Sequence, residues 1–341
     1  MRKISVSVIA IAIIATIFIA GEAYAYLPSD RGFSSDVTVN GDSIDYSIGA
    51  KGAYVGSAVL IDNQNLQGVE ELYIYRDTTY KSDVYEGNIT ATGSQVFTQD
   101  YFIEQLTKNL KFRGITDIRI LNAEELRDQL VSDSGTHSVT GKGLVIASGA
   151  IPETIFRTSS ILEDWISYGG FVYWAGNDIG RLSSTPDNIN YAGKQISLIG
   201  TDDFESSNRN AAVDTELRST FSFENQWLSH APNYKSIVDS GREVLGTGFT
   251  DDGTHYSVTL VRYGEGQICM FSNGFASPQI HDMAITIASG LTYKSQIVDF
   301  KESEFNRNLS DCFEKPTVSG HLSVYISVGK YHCAYAERYD L

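Results

Sequence analysis

Hydrophobic and polar positions fall into three textures along the chain. Near the N-terminus the pattern alternates. Val37-Thr38-Val39, then Asn40-Gly41, then Ile44-Asp45-Tyr46-Ser47-Ile48 predicts a β-hairpin, because Asn-Gly accepts the positive φ angles of a tight turn. Tyr54 to Ile61 predicts another strand. From residue 71 short apolar runs alternate with helical periodicity. Leu72-Tyr73-Ile74-Tyr75 reads as a fully buried strand, and Phe102, Leu106 and Leu110, spaced by four before Gly114, read as a helix. Ile118, Ile120 and Leu121 give a second strand. Asn122 and Glu125 then cap a helix carrying Leu126 and Leu130. Leu144 to Ala147 is the third strand. Ser160 and Glu163 have capping-box spacing ahead of a helix with Ile161, Leu162, Trp165 and Ile166 on one face. Gly169-Gly170 ends that helix, and Phe171 to Ala175 is the fourth strand.

Residues 177–240 are polar and poorly periodic, and read as an insertion. Strand texture returns over Val244 to Phe249, Tyr256 to Tyr263 and Ile268 to Phe271. Pro278 opens a last helix with Met283, Ile287 and Leu291. The tail is β-like again, with a Gly329-Lys330 turn between Leu322 to Val328 and Tyr331 to Ala336. Repeated strand–helix–strand units imply right-handed crossovers, hence an α/β fold with a mostly parallel sheet covered by helices on both faces. The chain therefore divides into an N-terminal leader (1–25), a β-rich segment (26–70), an α/β domain (71–297) and a β-rich tail (298–341). Neither β-rich end has the apolar residues to form a core alone, so the two are expected to pair into an accessory sheet.

Charge narrows the function classes. Lys and Arg total 26 against 42 Asp and Glu, a net charge of −16. A nucleic-acid binder needs a basic footprint, and none is present. The N-terminus supplies an address: Arg2 and Lys3, an apolar run over 4–20, then Ala23-Tyr24-Ala25, the pattern of a secretory signal. Spanning hydrocarbon takes about 20 residues, so an uncleaved anchor is the alternative. Either way the body of the chain is expected to be secreted or otherwise outside the cytoplasm, touching membrane only through that segment. An oxidising compartment permits a bridge between Cys312 and Cys333, worth about 3 kcal/mol in the chain-entropy model, with two free thiols as the alternative. Cys269, inside an apolar run, reads as a buried free thiol. Asn88-Ile89-Thr90 and Asn308-Leu309-Ser310 are glycosylation sequons.

Other motifs carry little. Gly246-Thr247-Gly248 precedes a strand, not the helix that would hold a phosphate, so no nucleotide cofactor is implied. Asp202-Asp203-Phe204-Glu205 reads as a solvated acidic loop sooner than a Ca²⁺ site. The six His residues lack zinc-site spacing, and no metal or cofactor is assigned. The 20 Tyr and 3 Trp suit either strands or a sugar-stacking surface.

The stretch Gly143-Leu144-Val145-Ile146-Ala147-Ser148-Gly149-Ala150, the following helix, Phe171 to Gly176, and Ile268-Cys269-Met270-Phe271-Ser272-Asn273-Gly274 together resemble the class I glutamine amidotransferase-like superfamily. The resemblance covers roughly 71–297 and implies a flavodoxin-like sheet. It also implies a nucleophilic Cys at the sharp turn after the fourth strand and a His after the closing strand. The sequence departs at both places. Ala175 stands at the expected nucleophile position and Asn273 where the His is expected; neither can do that chemistry. His281 lies on the last helix. The reading is an exported or cell-surface, non-catalytic binding or scaffolding protein, with an unknown extracytoplasmic protein or carbohydrate as ligand. Its rivals are a hydrolase with a relocated site and a purely structural envelope protein. Asp77, Gly149, Asn177 and Asp178 follow strands and define the candidate cleft at the strand ends, where open α/β sheets bind ligands.

Overall fold

The structure is a computed structural model. It describes residues 34–50, 54–62, 69–83, 98–176, 178–204, 209–212, 223, 227–228, 230–246, 249–250, 255, 258–271, 277–293, 295–302, 307–314, 320–328 and 331–340. The chain divides into two units, one formed by Asn63–Arg218 with Phe223–Ser295, the other by Met1–Asp62, Ser219–Ser222 and Gln296–Leu341.

The first unit is built on a seven-stranded sheet. Its elements in chain order are β1 (Glu71–Tyr75), α1 (Gln99–Phe112), β2 (Asp117–Leu121), α2 (Ala123–Thr136), β3 (Lys142–Ile146), α3 (Ile161–Ser167), β4 (Phe171–Ala175), α4 (Gln195–Ile199), α5 (Tyr234–Asp239), β5 (Val244–Gly246), β6 (Val258–Tyr263), β7 (Gly266–Phe271) and α6 (Ser277–Ser289). Across the sheet the order is β5-β6-β7-β4-β3-β1-β2. From β2 to β7 every pairing is parallel. Only β6, antiparallel to both its neighbours, breaks the run.

Strand alternation sends successive side chains to opposite faces. Tyr73, Tyr75, Leu144, Ile146, Val172, Trp174, Ile268 and Met270 form one face, packed on Leu126 and Leu130 of α2 and Leu162, Trp165 and Ile166 of α3. The other parity, with Leu72, Ile74, Val145, Phe171, Tyr173 and Cys269, is also buried, as are Phe102, Leu106 and Leu110 of α1 and Met283 and Ile287 of α6. Each fully buried aliphatic side chain of this kind contributes about 1.5–3 kcal/mol relative to exposure. The outer strand β2 is the exception: Ile120 is 54% exposed.

Local signals act where the sequence puts them, with two corrections. Asn122 caps α2 in a full capping box with Glu125. Ser160, by contrast, makes no capping bond to the α3 backbone. Its hydroxyl donates to Asp164 instead (2.7 Å), while Glu163 is drawn off by Lys194 at 2.6 Å. A charged partner on a neighbouring segment outcompetes the cap. The insertion expected over 177–240 is also more than polar surface, since Ile179, Leu198, Ile199 and Ile237 join the core.

The second unit interleaves the two ends of the chain. Ser34–Asn40 pairs with Ser43–Ala50, which pairs with Arg307–Glu314. The hairpin turn is Gly41-Asp42, one residue later than Asn40-Gly41, with Asn40 facing Ser43. Gly41 takes φ +62° and Asp42 does not go positive. That is the type II′ pattern, which needs Gly at the first central position and frees Asn40 to stay in the ladder. A four-stranded sheet runs Ser295–Glu302, Tyr54–Asp62, Gly320–Val328, Tyr331–Asp340. Asn308 pairs with Gly49 and Cys312 with Asp45 in one sheet, and Cys333 lies on the outer strand of the other. Their side chains, like Asn88 and residues 1–33, lie outside the described residues.

Candidate functional site

The ends of β1, β3 and β4 define the region where a cleft was expected, and chain occupies much of it. After β3 the backbone turns through Ala147-Ser148-Gly149-Ala150, all buried. The Ser148 carbonyl accepts from Asp83 N and Ser82 Oγ, both at 2.9 Å. Gly149 has φ +70°, and a Cβ there would lie 3.1 Å from Asp83 Cβ. A side chain at Gly149 would be strained by the positive φ and crowded by Asp83. Lys81 N donates to the Thr185 carbonyl (3.0 Å), tying the same segment to strand Leu182–Ser184. A Cβ at Gly176, φ +132°, would lie 3.6 Å from Gly149 Cα, so the turns after β3 and β4 touch. Ala175 closes β4 with no exposed surface.

Asp77 belongs to the scaffold. Its Oδ1 accepts from Thr79 N (2.7 Å), Thr79 Oγ1 (2.7 Å) and Tyr80 N (3.2 Å), and its Oδ2 from Ala123 N (3.0 Å). It ties the β1 exit to the first turn of α2. Burial works to raise its pKa, but the hydrogen bonds from Ala123, Thr79 and Tyr80 outweigh it and hold the carboxyl below its ordinary value.

Asp178 is differently placed. It is 8% exposed, and each carboxylate oxygen has one partner. His230 Nδ1 lies 2.9 Å from Oδ1, and Arg181 Nη1 donates to Oδ2 at 3.2 Å. His230 has φ +59°. For a residue with a Cβ that region costs roughly 1–2 kcal/mol, so the surroundings must impose it. They do so through the next residues. Pro232 bridges to Phe204, Asn233 N donates to the Asp203 carbonyl (2.9 Å), and Asn233 Nδ2 to Asp203 Oδ2 (2.9 Å). Asn233 also caps α5 by accepting from Ser236 N.

Of the four cleft candidates, Gly149 shapes a turn, Asp77 caps α2 and Asp178 orients a histidine. No hydrogen bond joins Asp77 to Asp178 among the described residues. Asn177 and Asn273 lie outside the described residues. His281 is on α6, half-buried. Among the described residues no Cys or Ser hydroxyl is bonded to His230, and no group of three or more His, Cys, Asp or Glu could hold a metal ion. Cys269 is fully buried, and burial pushes its thiol far above the ordinary range. His230 carries no local sequence signal, standing 52 residues from Asp178 in the aperiodic stretch. A groove of about 450 Å³ lies elsewhere, between α1 and β2, lined by Arg76, Asp100, Ile103, Lys108 and Ile120.

No protein-family model and no curated protein matches the chain. Solved structures match at low identity. An exo-β-1,4-mannosidase from Opitutaceae bacterium strain TAV5 is 13% identical over 63% of this chain and 33% of its own, with a TM-score of 0.36. A β-galactosidase from Bacillus circulans sp. alkalophilus is 9% identical over 77% of this chain and 36% of its own, TM-score 0.41. A cytoplasmic protein from Salmonella typhimurium is 11% identical over 65% of this chain and 98% of its own, TM-score 0.40. The chain thus spans about a third of the two glycosidases.

Proposed function

We propose that the chain is an exported or cell-surface binding and scaffolding protein whose α/β unit is an amidotransferase-like domain without glutamine-hydrolysing chemistry. The five parallel strands run β2-β1-β3-β4-β7. That order, with β7 as the fifth strand, supports a flavodoxin-like sheet. The observation that carries the functional reading is Ala175. It sits buried at the end of β4 and offers no atom to attack a carbonyl. Close packing of Asp83 on Gly149 crowds the adjoining turn.

Two measurements test the proposal. Purified protein in millimolar glutamine accumulates no glutamate above the blank, whereas saturable glutamate formation would overturn the reading. N-terminal sequencing of the native protein starts at Tyr26, whereas an intact Met1 in a soluble cytoplasmic fraction contradicts export.

A further inference from the structure

Asp178, His230 and Arg181 have a chemical capacity that a binding role leaves unused. An ionised carboxylate only accepts hydrogen bonds. With Asp178 Oδ1 2.9 Å from Nδ1, the His230 proton sits on Nδ1 and the Nε2 lone pair is left over. No protein group among the described residues engages Nε2, and the side chain is 31% exposed. Arg181 uses Nη1 on the same carboxylate and is half-exposed, leaving Nη2 and Nε as donors. A basic nitrogen and a cationic donor thus share one buried anchor. The anchor lies three residues past the end of β4, on the side of an open α/β sheet where ligands bind. The left-handed backbone at His230 is the kind of local strain that collects at working sites.

We propose that this cluster is a water-activating dyad with an oxyanion donor, acting on neutral carboxylic esters. In the reaction a water donates a proton to His230 Nε2 while its oxygen bonds to the acyl carbon. The carbonyl π electrons move onto the oxygen facing Arg181. The tetrahedral anion then collapses and breaks the acyl C–O bond. The departing alkoxide takes the proton back from Nε2, leaving a carboxylic acid and an alcohol. No side-chain nucleophile is required, which agrees with the absence of a Cys or Ser bonded to His230 among the described residues. Charge selects the substrate: one guanidinium matches one developing negative charge, while a net charge of −16 repels polyanionic esters. His230 and Arg181 are the catalytic residues, and Asp178 is a positioning residue acting through the imidazole.

The test is initial-rate hydrolysis of p-nitrophenyl acetate by the purified full chain. The expected result is saturable turnover that falls about 100-fold in His230→Gln, within the usual range for loss of a general base. His137→Gln, which removes an exposed imidazole at the end of α2, leaves the rate unchanged. Asp178→Asn lowers kcat with little change in KM, because the imidazole loses the carboxylate that orients it at Nδ1. Arg181→Ala, at a half-exposed position, lowers kcat even if His230→Gln does not fold. A rate without saturation, or a wild-type rate in folded His230→Gln or Arg181→Ala, would overturn the proposal. These outcomes are independent of whether glutamine is hydrolysed.

Discussion

At the residue scale, Asp133 gathers donors from four different side chains. It is 1% exposed at the end of α2 and accepts from Tyr73 Oη (3.0 Å), Trp165 Nε1 (3.3 Å), Gln129 Nε2 (2.8 Å) and Lys142 Nζ (2.6 Å). Removing it strands the Trp165 indole, takes one acceptor from the Tyr73 phenol and leaves Lys142 with Glu71 (3.3 Å) as its carboxylate partner. Asp133→Ala should therefore cost about 1–3 kcal/mol in urea unfolding, the range for leaving a buried donor without its acceptor. A loss below 1 kcal/mol would mean that water replaces the carboxylate. Asp77 supplies a pH dependence. Its folded pKa is depressed, so its contribution is present above the unfolded carboxyl value of about 3.9 and is lost as pH falls through the folded value. Asp77→Asn should lower stability at neutral pH and flatten that acid-side loss; an unchanged acid profile would exclude the linkage.

At the element scale, backbone contact decides what side chains are allowed. The turn between β6 and β7 runs under the end of α3. A Cβ on Gly266 would fall 2.2 Å from the Gly170 carbonyl oxygen and 2.3 Å from that of Ile166. Gly241, with φ +82°, has open space around it. Gly266→Ala should cost about 1–3 kcal/mol through overpacking, and more than Gly241→Ala, where only the φ penalty applies; equal Tm losses would contradict this. The sheet itself was legible, because Leu72 to Tyr75, Leu144 to Ala147 and Phe171 to Ala175 are uninterrupted apolar runs with no polar face to misplace. The α2 pattern even held its polar hub: Asp133 continues the buried Leu126–Leu130 face three residues on. What sequence could not show was competition between partners. Ser160 and Glu163 have capping-box spacing, but Lys194 lies 31 positions from Glu163 and takes it away. His230 was invisible for the same reason: its pairing with Asp178 follows from folding of an aperiodic stretch.

At the scale of the whole molecule, the chain ends build a unit of interleaved strands, and the α/β unit carries the chemistry-bearing residues described above. Burial of Cys269 predicts that its thiol labels only after denaturation; fast reaction in the folded protein would place it at an open turn instead. The central claim is that the α/β unit does no glutamine hydrolysis, since Ala175 supplies no nucleophile and the position after β7 holds Asn273 and not His. The most direct test is ammonia release from glutamine by the purified protein and by Ala175→Cys. The account predicts release no faster than the blank from either, because a thiol without its base remains a poor nucleophile. Steady ammonia production by the wild-type chain, saturating with glutamine, would contradict it.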